Sequence, residues 1–195
     1  MTSILVICTG HICRSPMAEG LLRDALQRRL AEHAPEVSSA GTGGWVGSGA
    51  MPESVRAAAE LGVDIAGHVA RRVTAPMADG SDLLLCMATE HRDAVSEPDR
   101  GARAFTLKEL VRLLETLPAV SPGAEPGNMR ERISAAHLAR RQGAVPPSRD
   151  DDIADPLGQP MAAYRAIAWE IETWIERLVT GLFGATVDVD VVEGS

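Results

Sequence analysis

At 195 residues with 45 % apolar content, the chain is long enough to bury one full hydrophobic core. Its 27 acidic and 19 basic residues leave a net charge of −8, which excludes a broad nucleic-acid-binding face but not a small, locally positive anion site. Every basic side chain except Lys108 is arginine, so the Gly-Lys-Ser/Thr phosphate loop of nucleotide-hydrolysing proteins is absent.

Residues 3–7 are short, apolar and rich in branched side chains, the pattern of a buried parallel strand. Neither a charged leader nor a cleavage signal precedes this run, and no stretch approaches the roughly 18 apolar residues of a membrane span. A cytoplasmic protein is expected, with neither a membrane nor a nucleic acid as partner. After Gly10 and Pro16, the residues Leu21, Leu22, Ala25, Leu26 and Leu30 recur at helical spacing, predicting an amphipathic helix over 15–33. A second strand is expected over 36–40, broken by Gly41-Thr42-Gly43-Gly44. A helix follows over 52–61, stopped by Gly62. Leu83-Leu84-Leu85-Cys86 reads as another buried strand, with a helix near 88–96, a short strand at 103–105 and a strong helix over 107–117.

The stretch 118–150 differs in character. Five prolines, with several Gly and Arg, mark an inserted, mobile segment carrying one helix over 128–141. The last strong helix covers 160–180, with Ile167, Ile171, Trp174 and Leu178 as its apolar stripe. One domain is expected over 1–181, followed by a loose tail over 182–195. Strands alternating with helices imply an open, mostly parallel sheet covered on both faces. Ligands of such α/β folds bind beyond the carboxyl ends of the strands. The first strand ends at Cys8.

Cys8, Cys13 and Cys86 are too few for a disulfide framework and are expected free in a reducing compartment. Cys86 lies in an apolar strand and reads as a core residue. The five histidines show no zinc-ligand spacing, so no metal and no cofactor are expected.

The chemistry lies in Cys8-Thr9-Gly10-His11-Ile12-Cys13-Arg14-Ser15-Pro16, between a strand and a helix. Five residues between Cys8 and Arg14 can curl so that their amides point inward. Together with the free amides of the next helix they cradle a tetrahedral oxyanion. Thr9, Gly10, His11, Ile12, Cys13 and Ser15 are thus the expected substrate-binding residues. Arg14 adds a two-pronged contact to phosphoryl oxygens. The same dipoles favour the ionised form of a thiol, making Cys8 a nucleophile that forms a cysteinyl-phosphate without a separate base. Ser15 can hydrogen-bond the sulfur. The expected proton donor to the leaving group is Asp155, with Asp152 its rival. Pro156 biases Asp155 toward an extended conformation at a loop-to-helix junction.

The segment from Val6 to Glu19 closely resembles the signature of the low-molecular-weight protein tyrosine phosphatases. Ser39-Ala40-Gly41-Thr42 with Trp45, Gly62 with His68, Ser81 to Leu85 with Met87, and Asp155-Pro156 match in order. The resemblance implies a three-layer α/β/α sandwich on a four-stranded parallel sheet, with the phosphate-binding loop after the first strand. It implies phosphomonoester hydrolysis, by analogy of phosphotyrosine in protein, without a metal. It makes Cys8 the nucleophile, Arg14 the phosphate binder and Asp155 the acid. It also pairs Cys8 with Cys13 as a reversible redox partner. Three departures stand out: His11 where the family usually has asparagine, Leu157 and Gly158 where aromatic residues often follow Asp-Pro, and a longer 118–150 segment.

Two other readings compete with hydrolysis of a phosphorylated protein or small phosphomonoester. A thiol-dependent arsenate reductase resembles this family in fold and loop but needs two further cysteines, and only Cys86 is available. A phosphate-binding regulatory module without turnover would not need Cys8, Arg14 and Asp155 together.

Overall fold

The computed structural model describes residues 2–97, 100–120 and 129–185. The first apolar run becomes strand β1 (Ser3–Cys8) and is joined by β2 (Glu36–Gly41), β3 (Leu83–Cys86) and β4 (Ala104–Thr106). All three pairings are parallel, and the strand order is β2-β1-β3-β4. β1 is therefore central. Its last residue, Cys8, pairs with Gly41 at the carboxyl edge of the sheet.

Helices α1 (Arg14–Leu30), α2 (Pro52–Glu60), α3 (Ala75–Asp79), α4 (Thr89–Val95), α5 (Leu107–Leu114), α6 (Met129–Arg141) and α7 (Met161–Phe183), with short 3-10 turns at Ala31–His33 and Arg149–Asp151, complete the described elements. The two-residue period of the strands sorts the core into two halves. Ile4, Val6, Cys8, Leu83, Leu85 and Phe105 pack with α1, α2, α5, α6 and α7. Leu5, Ile7, Leu84, Cys86 and Ala104 pack with Ala78 of α3 and Val95 of α4. A strand buried on both sides reads as a continuous apolar run, which is why Ile4 to Ile7 show no alternation. The result is the expected three-layer sandwich. Cys86 is fully buried in the smaller half.

Local chemistry sets the boundaries that periodicity left loose. α5 begins at a capping box: Thr106 Oγ1 accepts the Glu109 amide at 3.2 Å and Glu109 Oε2 accepts the Thr106 amide at 3.4 Å. It stops at Leu114, three residues before the expected end. α3 was not anticipated, because five residues are too few to show a period. Thr74 caps it and Pro76 sits in its first turn.

Within the 118–150 segment, α6 docks through Met129, Ile133, Ala136 and Ala139. Arg132 donates to the carbonyls of Pro118 and Gly181, and Arg140 donates to those of Ala104 and Gly101. Residues 121–128, on which part of the mobile-segment expectation falls, lie outside the described residues. α7 runs past 181 to Phe183; residues 186–195, on which most of the expected tail falls, also lie outside the described residues. Among the described residues no helix is long and apolar enough to cross a membrane.

Candidate active site

The loop after β1 turns its carbonyls outward. The oxygens of Cys8, Thr9, Ile12 and Cys13 accept the amides of Thr42, Gly43, Met51 and Met17, and that of His11 accepts His68 Nε2–H at 2.8 Å. With the carbonyls held from outside, the peptide N–H groups face the interior of the turn. One of them is seen doing so: the His11 amide donates to Cys8 Sγ at 3.3 Å. Ser15 Oγ lies 2.9 Å from the same sulfur. α1 starts directly beneath, with no side-chain cap and no acidic residue in its first turn. Its unpaired N-terminal amides and positive dipole end are left for an anion.

Close approach leaves no room for a side chain at Gly41, where the neighbour is backbone, and sets Gly10 against a side chain. A Cβ on Gly41 would stand 2.6 Å from the Thr9 carbonyl oxygen, and one on Gly10 would stand 2.8 Å from the Trp45 ring.

His11 holds the turn in shape from the left-handed region, at φ 57°. The Arg71 amide donates to its Nδ1 at 2.8 Å. The neutral ring therefore carries its proton on Nε2, which donates to Ser39 Oγ at 2.7 Å, and Ser39 donates onward to Glu19. Burial first, and then the charges of His68 and Arg71, push the His11 pKa down to about 3. His11, Glu19 and His68 bring ligand-type atoms within 4.8 Å of one another. Both His11 nitrogens are already engaged, so the cluster works as a hydrogen-bonded brace.

Arg14 is 4 % exposed and reaches the far end of the chain. Nη1 donates to the Ile153 carbonyl at 3.1 Å. Nη2 donates to Asp155 Oδ2 at 2.6 Å and to Thr9 Oγ1 at 3.4 Å. Asp155 Oδ1 accepts the Leu157 amide at 3.1 Å. The segment leading to Asp155 is tethered on every side. Arg112 Nη2 donates to both Asp151 carboxylate oxygens at 2.7 Å and its Nε to Oδ1 at 3.1 Å, Lys108 Nζ donates to the Asp152 carbonyl at 3.0 Å, and the Ile153 amide donates to the Met87 carbonyl at 2.7 Å. Asp152, the rival acid, accepts from the Thr89 amide and hydroxyl at the start of α4 and makes no contact with Arg14.

Cys8, Thr9, Gly10, Ile12, Cys13, Arg14, Trp45, Asp155 and Leu157 enclose a cavity of about 80 Å³. Arg14, Thr9 and Asp155 supply its polar side chains, and the exposed Trp45 and Leu157 flank it on the apolar side. A larger cavity of about 580 Å³ is lined from α4, α5 and α6 and has no cysteine in its wall. Of the residues expected to bind phosphate, Thr9, Gly10, Ile12, Cys13 and Arg14 line this cavity, while the Ser15 hydroxyl and the His11 amide contact the Cys8 sulfur.

Cys13 is buried beside Ser54 and Tyr164, and burial is the main cause pushing its pKa up to about 11. Burial also raises that of Cys86. Cys86 faces the α3/α4 half of the core, so it cannot relay a disulfide from Cys8 and the arsenate-reductase reading loses its remaining cysteine. His91 was missed by sequence reasoning: it is buried against Thr9 with Nε2 2.7 Å from the hydroxyl. Its place just beyond the carboxyl end of β3 was the available signal.

The chain matches the family model described as low molecular weight phosphotyrosine protein phosphatase over residues 3–117. A probable low molecular weight protein-tyrosine-phosphatase, AmsI of Erwinia amylovora, is 40 % identical over 107 residues, covering 55 % of this chain and 70 % of that one. A protein-arginine-phosphatase of Geobacillus stearothermophilus is 31 % identical over 181 residues, covering 92 % and 95 %. The crystal structure of a low molecular weight protein tyrosine phosphatase from T. tengcongensis superposes with a TM-score of 0.68 at 29 % identity, covering 93 % of this chain and 100 % of that one.

Proposed function

The chain belongs to the low molecular weight phosphotyrosine protein phosphatase family, a family of cysteine-dependent phosphatases, and from that premise we propose that Cys8, Arg14 and Asp155 carry out phosphomonoester hydrolysis on aryl phosphates, phosphotyrosine in protein foremost. The observation that supports it best is the junction at Arg14: one guanidinium reaches both the rim of the sulfur-bearing turn and, at 2.6 Å, the carboxylate of Asp155.

A phosphoryl dianion entering the turn replaces Asp155 as the partner of Arg14. The freed carboxyl is then next to the ester oxygen. Cys8 Sγ attacks phosphorus in line, the P–O bond to the leaving group breaks, and Asp155 gives that oxygen a proton. In the second step Asp155 takes a proton from water, whose oxygen attacks phosphorus as the P–S bond breaks. Ser15 Oγ steadies the departing thiolate. His11 and the outward carbonyls keep the amides fixed while charge moves, which is where catalysis by preorganised dipoles has its value.

The exposed apolar side chains of Trp45 and Leu157 beside the cavity favour a flat aryl group behind the phosphate. The 31 % identity to a protein-arginine-phosphatase along almost the whole chain supports a second reading, a phosphorylated arginine as substrate. Three free, buried cysteines fit a reducing, cytoplasmic setting.

Metal-free turnover of phosphotyrosine peptide, phosphoarginine peptide and small alkyl phosphates, with Cys8→Ser and Asp155→Asn beside the parent, tests the assignment. Cys8→Ser is expected to abolish turnover. Asp155→Asn should slow phenyl phosphate far more than nitrophenyl phosphate, whose leaving group needs little protonation. Equal slowing of the two esters removes Asp155 from the acid role, and preference for phosphoarginine replaces the first substrate reading with the second.

A further inference from the structure

The Thr9 hydroxyl lies where three polar side chains meet. Arg14 Nη2 is 3.4 Å away, His91 Nε2 2.7 Å and Glu90 Oε1 3.3 Å. A hydroxyl has one proton and two lone pairs. The guanidinium only donates and the carboxylate only accepts. One arrangement satisfies all three: Thr9 accepts from Arg14, donates to Glu90 and accepts from His91 Nε2–H. The imidazole proton then sits on Nε2 and Nδ1 is bare. Nδ1 is indeed buried with no partner. A bare acceptor is tolerated there better than an orphaned N–H.

We propose that His91 is a positioning residue for phosphoryl binding, acting through the Thr9 hydroxyl on the Arg14 guanidinium. The inference rests on Arg14 being the phosphoryl clamp. While the pocket is empty, Asp155 helps to orient the fork. Once Asp155 turns to the leaving group, the remaining protein contacts are the Ile153 carbonyl on Nη1 and Thr9 on Nη2. A freely rotating threonine hydroxyl would at times point its proton at the guanidinium. Glu90 alone is a poor anchor, with a side chain 71 % exposed. His91 is 1 % exposed on α4, and its N–H on one lone pair keeps the other aimed at Arg14. Burial, followed by the charge of Arg14, lowers the His91 pKa to about 4, so the ring is neutral and a single-site donor at cellular pH.

His91→Leu removes the donor at similar volume, and His91→Gln keeps an amide N–H. The readouts are inhibition by inorganic phosphate and vanadate, and KM and kcat for an aryl phosphate. His91→Leu is expected to weaken phosphate binding about tenfold, the usual scale for a hydrogen bond to a charged group, with a smaller change in kcat. His91→Gln should recover most of the loss. Thr9→Val should lose about as much as His91→Leu, and the double variant no more than Thr9→Val alone. Unchanged phosphate affinity in folded His91→Leu, or additive losses in the double variant, overturns the proposal. Should His91→Leu fail to fold, ring-nitrogen NMR of the parent decides: a neutral Nε2–H ring at pH 7 upholds the assignment and an Nδ1–H ring or a charged ring overturns it. Arg14→Lys tests the underlying clamp separately, since undiminished phosphate binding there would remove the clamp whatever His91 does.

Discussion

Replacing His11 by asparagine should make the protein less sensitive to mild acid. In the folded chain, burial and then the neighbouring His68 and Arg71 hold the His11 pKa down to about 3. In the unfolded chain an ordinary histidine titrates near 6.5. The unfolded state therefore takes up the proton first. The penalty is absent well above pH 6.5 and grows as pH falls from there toward about 3. Each pH unit inside that window costs about 1.4 kcal/mol, so the fall from pH 7 to pH 5 costs roughly 2 kcal/mol from this one ring. His91, lowered to about 4, adds a second loss of similar size that both proteins share. Asparagine tolerates the left-handed backbone at this position better than most residues and does not titrate. Urea denaturation at pH 7 and pH 5 supplies the numbers. His11→Asn is expected to start lower at pH 7, because it cannot span both Arg71 and Ser39. Its loss on acidification should nonetheless be about 2 kcal/mol smaller than the parent's. Equal losses in the two proteins would show that His11 is not held neutral, and the brace as described would be wrong.

Gly41→Ala should cut kcat/KM by about 100-fold or more, because a methyl 2.6 Å from the Thr9 carbonyl forces the turn to shift, and misplacements of about an ångström are that costly; steady-state kinetics with a thermal melt separates this from unfolding. Arg112→Leu leaves the buried Asp151 carboxylate unpaired and should cost about 3 kcal/mol in denaturation experiments. Adding Asp151→Asn should restore part of it, and no restoration would mean the pair is not the tether. In native Cys8→Ser, Cys13 and Cys86 should be alkylated at pH 8 at least about 100-fold more slowly than a free thiol, given how far burial raises both. One rapid equivalent of labelling would contradict the environment described for Cys13.

Sheet, layers and phosphate turn were legible because each had a local signature. The unalternating Ile4 to Ile7 run announces a strand buried on both faces, and Cys8 to Arg14 carries the turn's chemistry within seven consecutive residues. Asp155 was legible through Pro156 alone among its neighbouring aspartates. The separation of Asp155 from Asp152 became visible only in three dimensions, where one meets Arg14 and the other caps α4. His91 left only its place just beyond the carboxyl end of β3 as a trace. Its significance depends on α4 standing beside a loop 82 positions earlier in the chain, and nothing periodic in its own helix reports that. The brace around His11 was half legible: the departure from asparagine was plain, but Arg71 and Ser39 as its two partners required the fold.

The helix that rises from the phosphate turn makes its most extensive helix–helix contact with α7, the last element described. Arg14 is also fastened to Ile153 and Asp155, some 140 positions downstream. During synthesis the sulfur and its cradle are made some 140 residues before the segment and the helix that shape them. The turn therefore cannot take its final form until that later stretch of chain has folded against it.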